Sequence, residues 1–319
     1  MGQLVDGVWQ PETLAVRSKD GRFVRADSQF RDRISGDGAS GFKAEAGRYH
    51  LYVSLACPWA HRTLIFRHLK GLEELISISV VAPFMAELGW VFGDSEGCIA
   101  DPLFGAGHLH EIYSHARADY SGRVTVPVLW DRERATIVNN ESAEIIRMMN
   151  SEFGALAPDS PDFCPDELRG EIDEVNQRVY TDINNGVYRT GFAGTQQAYE
   201  EACDQLFAAL DWVEARLRTR RYLCGERLTE ADWRLFPTLV RFDCVYFGHF
   251  KCNIRRIEDY PCLSNYLREL YQIPGIAELC NFRHIKEHYY RSHESINPTR
   301  IVPSGPEMDL HRAHDRDRL

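Results

Sequence analysis

One stretch limits the fold more than any other: "RYHLYVSLACPWAHRTLIFRHLKGLEELISISVV", residues 48–81. Its first nine residues alternate and carry Tyr, Leu and Val, a pattern that predicts a strand. Pro58 then falls where a first-turn proline belongs, because its missing N–H would have no helical acceptor in any case. Gly71 supplies the stop, and "LISISVV" reads as a second strand. Strand, helix and strand in that order predict a βαβ opening.

The same stretch places a lone thiol where the first strand hands over to the helix. Cys57 immediately precedes Pro58, and position 60, where a resolving cysteine would stand, holds Ala60. A thiol at a helix N-terminus faces partial positive charge and unpaired amides, which favour the thiolate and bring a cysteine below its usual pKa of about 8.5. Without a second thiol three residues on, a mixed disulfide formed on Cys57 has to be released by an outside thiol. The bland alternative is a buried, inert cysteine, and the strand–Cys-Pro–helix setting is what argues against it.

The remaining cysteines bound the setting. Nine in all, at 57, 98, 164, 203, 224, 244, 252, 262 and 280, they are odd in number and contain no CxxC pair. That pattern fits neither a disulfide framework nor a zinc ribbon. The start "MGQLVDGVWQ" lacks the basic and apolar regions of a signal peptide, and no apolar run approaches a membrane span. The expected location is the cytoplasm, with no membrane partner. A net charge of −10 argues against a general nucleic-acid binder.

Along the rest of the chain, residues 1 to about 45 read as an irregular lead-in with Gly-rich turns. Residues 83–122 read as one long loop, which in a compact domain is usually functional. "TVPVLWD" and "ATIV" predict two strands joined by the turn "DRER". Val126-Pro127 opens the first of them, where a proline is normally unwelcome. If that bond is cis, the Val126 backbone can pair with a peptide-like ligand; the alternative is a plain edge proline. "NNESAEIIRMMN" predicts a helix with Asn140 as its cap and Glu141 in the first turn. From residue 165 the period turns helical, with Thr229 and Asp232 set as a capping box. The last residues, Pro-rich and then charged, are expected to lie over the surface or fray. The expected organisation is an α/β half over 1–160 and an all-helical half over 161–319.

Taken together, "SLACPWAHRTLI", "GRVTVPVLWD", "NNESAEIIRM", "LTEADWRLFPTL", "RFDCVYFGHFKCN" and "HYYRSHESINPTRIVPSGP" resemble the glutathionyl-hydroquinone reductases, the Xi class of glutathione transferases. The resemblance runs from Phe30 to Pro306. It implies an N-terminal thioredoxin-like βαβ-ββα domain followed by a C-terminal helical glutathione-transferase domain. It further implies reduction of glutathionyl-hydroquinones to hydroquinones at the expense of glutathione, and a homodimer. Cys57 would be the nucleophile. Trp90, Arg123, Val126, Glu141 and Ser142 would hold glutathione, with Arg123 able to pair a carboxylate by two hydrogen bonds. Tyr188, Tyr246 and Tyr289 would receive the hydroquinone, and Tyr188 and Tyr289 would share in its chemistry. No metal is expected as a cofactor.

Three competing readings follow from the residues. "HIKEH", 284–288, fits the HxxEH zinc pattern, but only 31 residues remain to supply an acidic ligand, and a satisfied pair on the helix surface is the expectation. His108, His110 and His115 are expected to be loop residues outside any metal site. Within the same fold, an omega-like thiol transferase or dehydroascorbate reductase would also use a single Cys-Pro thiol. A non-catalytic transferase-like binding protein is the third, and its membrane-inserting form fits poorly with His61, Arg62, Arg67, His68 and Lys70 in the first helix.

Overall fold

The structure is a computed structural model and describes residues 2–11 and 17–319. The chain divides into two compact units. The first comprises the described part of 1–14 with 26–161 and 281–292; the second comprises the described part of 15–25 with 162–280 and 293–319.

The first unit is built on the predicted βαβ. Strand β3 (Tyr49–Val53), helix α1 (Pro58–Leu69) and strand β4 (Ile76–Val80) follow one another, and β3 and β4 pair in parallel. Strands β6 (Val128–Asp131) and β7 (Thr136–Asn139) complete a four-stranded sheet in the order β4-β3-β6-β7, antiparallel at β3/β6 and β6/β7. Helix α3 (Ser142–Ser151) follows and packs against α1. Every residue of β3 is buried, so its sequence alternation does not mark an inner and an outer face. Even its polar member is hidden, with both ring nitrogens hydrogen-bonded. His50 is fully buried between Ser77 and Ser79 of the neighbouring strand.

Two expectations for this unit need correction. The lead-in is not wholly irregular: β1 (Gln3–Val5) and β2 (Val8–Gln10) form a hairpin, and β1 pairs on its other edge with β5 (Gly122–Arg123). Asp6 and Gly7 make its turn with φ of 46° and 75°, the positive values that a two-residue hairpin turn demands. The presumed loop 83–122 likewise contains a helix, α2 (Leu109–Ala116), as well as β5. His108 and Glu111 cap α2 reciprocally, which places His110 and His115 inside the helix.

The second unit is helical. It contains α4 (Arg169–Arg178), α5 (Gly186–Gly191), α6 (Gln196–Arg216), α7 (Glu230–Arg241) and α8 (Pro261–Tyr271), with wider, π-type turns at Val179–Asn184 and Phe242–Tyr246. The capping box of α7 is present as read from the sequence: the fully buried Asp232 carboxylate accepts from the Thr229 amide at 2.8 Å. It also accepts from the Leu223 amide at 2.9 Å and the Tyr266 hydroxyl at 2.7 Å. The C-terminal residues do not simply lie over the surface. Arg316 is fully buried and donates to the carbonyls of Leu217, Arg220 and Arg221.

The last helix, α9 (Phe282–Ser292), clusters with the first unit although its sequence neighbours cluster with the second. The reason is a set of polar contacts to the 83–96 segment. His288 Nδ1 lies 2.9 Å from the Pro83 carbonyl, and His284 Nε2 lies 2.7 Å from that of Glu96. The Met85 amide donates to Ser292 Oγ at 3.0 Å. Among the described residues, no helix is long and apolar enough to cross a membrane.

Candidate active site

Three chain segments meet at one edge of the four-stranded sheet because of its register. β3 ends at Val53 and runs into Cys57, and its partner β6 starts at that edge, with Tyr52 opposite Val128. The third segment comes from β7, antiparallel to β6 with Asn139 opposite Leu129, which finishes there and leads into α3. The loops that carry Cys57, Val126 and Glu141-Ser142 are therefore neighbours by topology.

Cys57 is the N-cap residue of α1, with Pro58 in the first helical position. Its extended backbone (φ −77°, ψ 123°) turns the chain from strand to helix, and its amide donates to the Ser54 carbonyl at 3.2 Å. The thiol is half-buried and points to the Val126 carbonyl, with Sγ 3.6 Å from that oxygen. The first turn of α1 holds no acidic residue, so no carboxylate offsets the positive end of the helix dipole at the sulfur. None of the nine cysteines is disulfide-bonded. Burial pushes the Cys280 thiol up to about 12 and the Cys224 thiol equally far, which makes both poor nucleophiles near neutrality. The Val126-Pro127 peptide bond is cis.

At the start of α3, the cap is Glu141 and not Asn140. Asn140 accepts from the Phe30 amide at 3.2 Å and donates to the Tyr113 hydroxyl at 3.1 Å, so its side chain is engaged away from the helix. Glu141 instead accepts from the Ala143 amide at 3.1 Å. The next residue, Ser142, is 2% exposed, and among the described residues its Oγ has no hydrogen-bond partner. A buried hydroxyl at a helix N-terminus with its hydrogen bonds unmade is suited to a carboxylate ligand.

Arg123 forms the end of β5, held in register by Gln3 of β1, and its carbonyl accepts from the Tyr120 hydroxyl at 3.1 Å. Trp90 is buried in the connection between β4 and α2, and its carbonyl accepts from the Leu109 amide at 2.9 Å. The indole stacks on the His288 ring, with centroids 4.8 Å apart and 21° between planes.

The three tyrosines divide between the units. Tyr289 lies in α9 of the first unit, buried, edge-on to His288. Tyr188 of α5 and Tyr246 belong to the second unit, with ring centroids 6.2 Å apart in an aromatic cluster that includes Phe192 and Phe250. The Arg25 guanidinium sits 5.0 Å from the Tyr188 ring centre.

Comparison with known proteins gives this arrangement a family. The glutathione S-transferase N-terminal domain profile matches residues 56–152, and the C-terminal domain profile matches 196–269. The glutathionyl-hydroquinone reductase YqjG of Escherichia coli K12 is 55% identical, over 99% of both chains. The reductase PcpF of Sphingobium chlorophenolicum is 54% identical, over 97% of this chain and 98% of its own. The chain belongs to the glutathionyl-hydroquinone reductases. Solved Xi-class structures agree in fold. The glutathione-bound YqjG structure aligns with a TM-score of 0.93 at 53% identity over the whole of both chains. An Xi-class glutathione transferase from Natrialba magadii gives 0.94 at 49% identity, over 100% of this chain and 97% of that one. The thioredoxin-like domain and the helical transferase domain are those of this family.

The histidines of "HIKEH" are a structural device in this reductase fold. Each has a ring nitrogen at a backbone carbonyl and both are buried, so they are not a pair at the helix surface, and among the described residues Nδ1 of His284 has no hydrogen-bond partner. Among the described residues, one group approaches metal-ligand spacing, His108, His110 and Glu111, with ligand atoms within 4.8 Å of one another. Two of its members already cap α2. The features missed from sequence include the hairpin, helix α2 and the partners of Trp90; Asp6-Gly7 between Val5 and Val8 was a legible signal for the first.

Proposed function

We propose that this reductase-family chain converts glutathionyl-hydroquinones to hydroquinones with Cys57 as the nucleophile. The Cys57 thiolate attacks the thioether sulfur of the conjugate, forming a sulfur–sulfur bond to the glutathionyl group as the aryl carbon–sulfur bond breaks. With the ring in its keto form, the departing electron pair ends on oxygen, and protonation there gives the hydroquinone. A glutathione thiolate then attacks the mixed disulfide, releasing glutathione disulfide and restoring Cys57. The sum is one conjugate and one glutathione consumed, one hydroquinone and one disulfide formed.

A single observation carries the nucleophile: the half-buried thiol at the start of α1, with no carboxylate in the first turn and alanine at position 60. The missing resolving thiol is the reason a second glutathione enters. For glutathione itself, Ser142 and the amides at the start of α3 suit the γ-glutamyl carboxylate, and Glu141 suits its ammonium. Arg123 suits the remaining carboxylate, Trp90 offers an indole N–H and Val126 a backbone partner. Tyr188 and Tyr289 are the proposed donors to the developing oxyanion, and Tyr246 a contact for the aromatic ring. A homodimer and a cytoplasmic location belong to the same proposal, and light scattering of the purified chain tests the first.

The test is mass spectrometry of the protein mixed with a glutathionyl-hydroquinone. One glutathionyl group on Cys57 with hydroquinone released is the expected result. Turnover that survives Cys57→Ser rejects the mechanism, and turnover of dehydroascorbate without that of conjugates transfers the chain to the thiol-transferase reading.

A further inference from the structure

Trp90 sits on no strand or helix, so its orientation has to come from what packs on it. Besides the backbone bond from Leu109 of α2 to the Trp90 carbonyl, two elements grip the segment that carries it. Trp9 of β2 donates its indole N–H to the Glu87 carbonyl at 2.9 Å and lies against Gly89. Gly89 has φ +75°, and a Cβ there would stand 2.8 Å from the Trp9 ring, so only glycine fits this turn. On the other side, α9 holds the segment at Pro83 through His288, at Met85 through Ser292 and at Glu96 through His284.

His288 both anchors the segment and touches the indole. A ring N–H donated to the Pro83 carbonyl fixes the imidazole in place, and the face of that same imidazole fixes the indole plane of Trp90. We propose that His288 is a positioning residue for glutathione binding, acting through Trp90 by setting the direction of its indole N–H. This rests on the reading of Trp90 as a glutathione ligand. The indole N–H is a single directional donor, so a rotated ring keeps its packing and loses the hydrogen bond.

The experiment is calorimetric titration of glutathione into the full chain in a Cys57→Ser background, where no disulfide can form. Trp90→Ala, His288→Ala, the pair together and His288→Phe are compared, with circular dichroism as the folding control. An aromatic pair contributes about 0.5–1.5 kcal/mol beyond its buried area, so loss of the stack is expected to weaken glutathione by up to about tenfold. In the Trp90→Ala background, His288→Ala is expected to add nothing; with Trp90 intact, His288→Phe, which keeps a ring over the indole, is expected to recover affinity to within about threefold. A merely structural histidine would give additive losses and no rescue by Phe, and either result overturns the proposal. If Trp90→Ala alone leaves glutathione affinity unchanged, the ligand reading of Trp90 fails first and takes the proposal with it. Additive losses with a weakened Trp90→Ala overturn only the role of His288.

Discussion

Acidification should remove part of this protein's stability through one histidine, and the structure allows the amount to be worked out. His50 lies on the central strand β3 and is fully buried. Its Nε2 is 2.9 Å from Ser79 Oγ, and that hydroxyl donates to the Ala100 carbonyl at 2.9 Å. Ser79 therefore accepts from His50, which fixes the N–H on Nε2 and leaves Nδ1 to accept from Ser77 Oγ at 2.7 Å. That is a neutral imidazole. Burial, aided by the positive charges of Arg132 and Arg67 and opposed by Asp101, pushes its pKa down to about 4. In the unfolded chain the value is about 6.5. Between those two values the unfolded state binds the additional proton, so stability is complete above the unfolded value and falls as pH drops toward the folded one. The full linkage is about 3 kcal/mol, and about 2 kcal/mol of it is lost between pH 7 and pH 5. Urea unfolding of wild type and His50→Gln at both pH values isolates this term, because the carboxylates contribute equally to both proteins. The expected result is a fall in wild type that exceeds the variant's by about 2 kcal/mol. Equal falls would refute the assignment of a neutral, buried imidazole, as would an imidazole titrating near 6.5 in the folded protein by NMR.

Other perturbations test the site and the fold separately. Ser142→Ala removes a hydroxyl that bonds to nothing in the described structure, so unfolding should stay within about 0.5 kcal/mol of wild type while glutathione binding weakens by at least about tenfold; calorimetry and urea unfolding read the two effects. Tyr188→Phe and Tyr289→Phe should each lower kcat on a glutathionyl-hydroquinone more than they change the affinity for glutathione, and unchanged kcat in both would remove their assigned part. Arg316→Ala leaves the carbonyls of Leu217, Arg220 and Arg221 without their buried donor while Glu269 keeps its ion pair with Arg221, and should cost about 1–3 kcal/mol of unfolding free energy, a loss that scanning calorimetry would register.

What was legible in the sequence was local. Pro58 after Cys57, Gly71 at the helix end and the Thr229–Asp232 pair each act within one turn of themselves, and each stands where the residues placed it. Asn140 shows how such a signal fails. Its side chain is a good cap by type, but the distant Phe30 amide and Tyr113 hydroxyl claim it, and the less usual Glu141 takes the position. The alternation around β3 marked a strand correctly, but its residues are all buried, polar His50 included.

The same distinction explains where the proposed site was readable and where it was not. Cys57 and Val126 each sit one or a few residues from the end of a strand or at the start of a helix, so local rules reach them, whereas Ser142 entered only through the family resemblance; the sheet register makes the three neighbours. Trp90 has no such address. Its position depends on a hairpin about 80 residues before it and a helix about 200 residues after it, joined to it by an indole N–H, an imidazole N–H and a glycine turn. No periodicity in the sequence encodes those joins, because each is a contact between segments that are each irregular or helical for their own reasons. The proposed nucleophile can thus be argued from a dozen residues, whereas the orientation of the Trp90 indole requires contacts across the first unit, including the one helix that sequence order assigns to the other half.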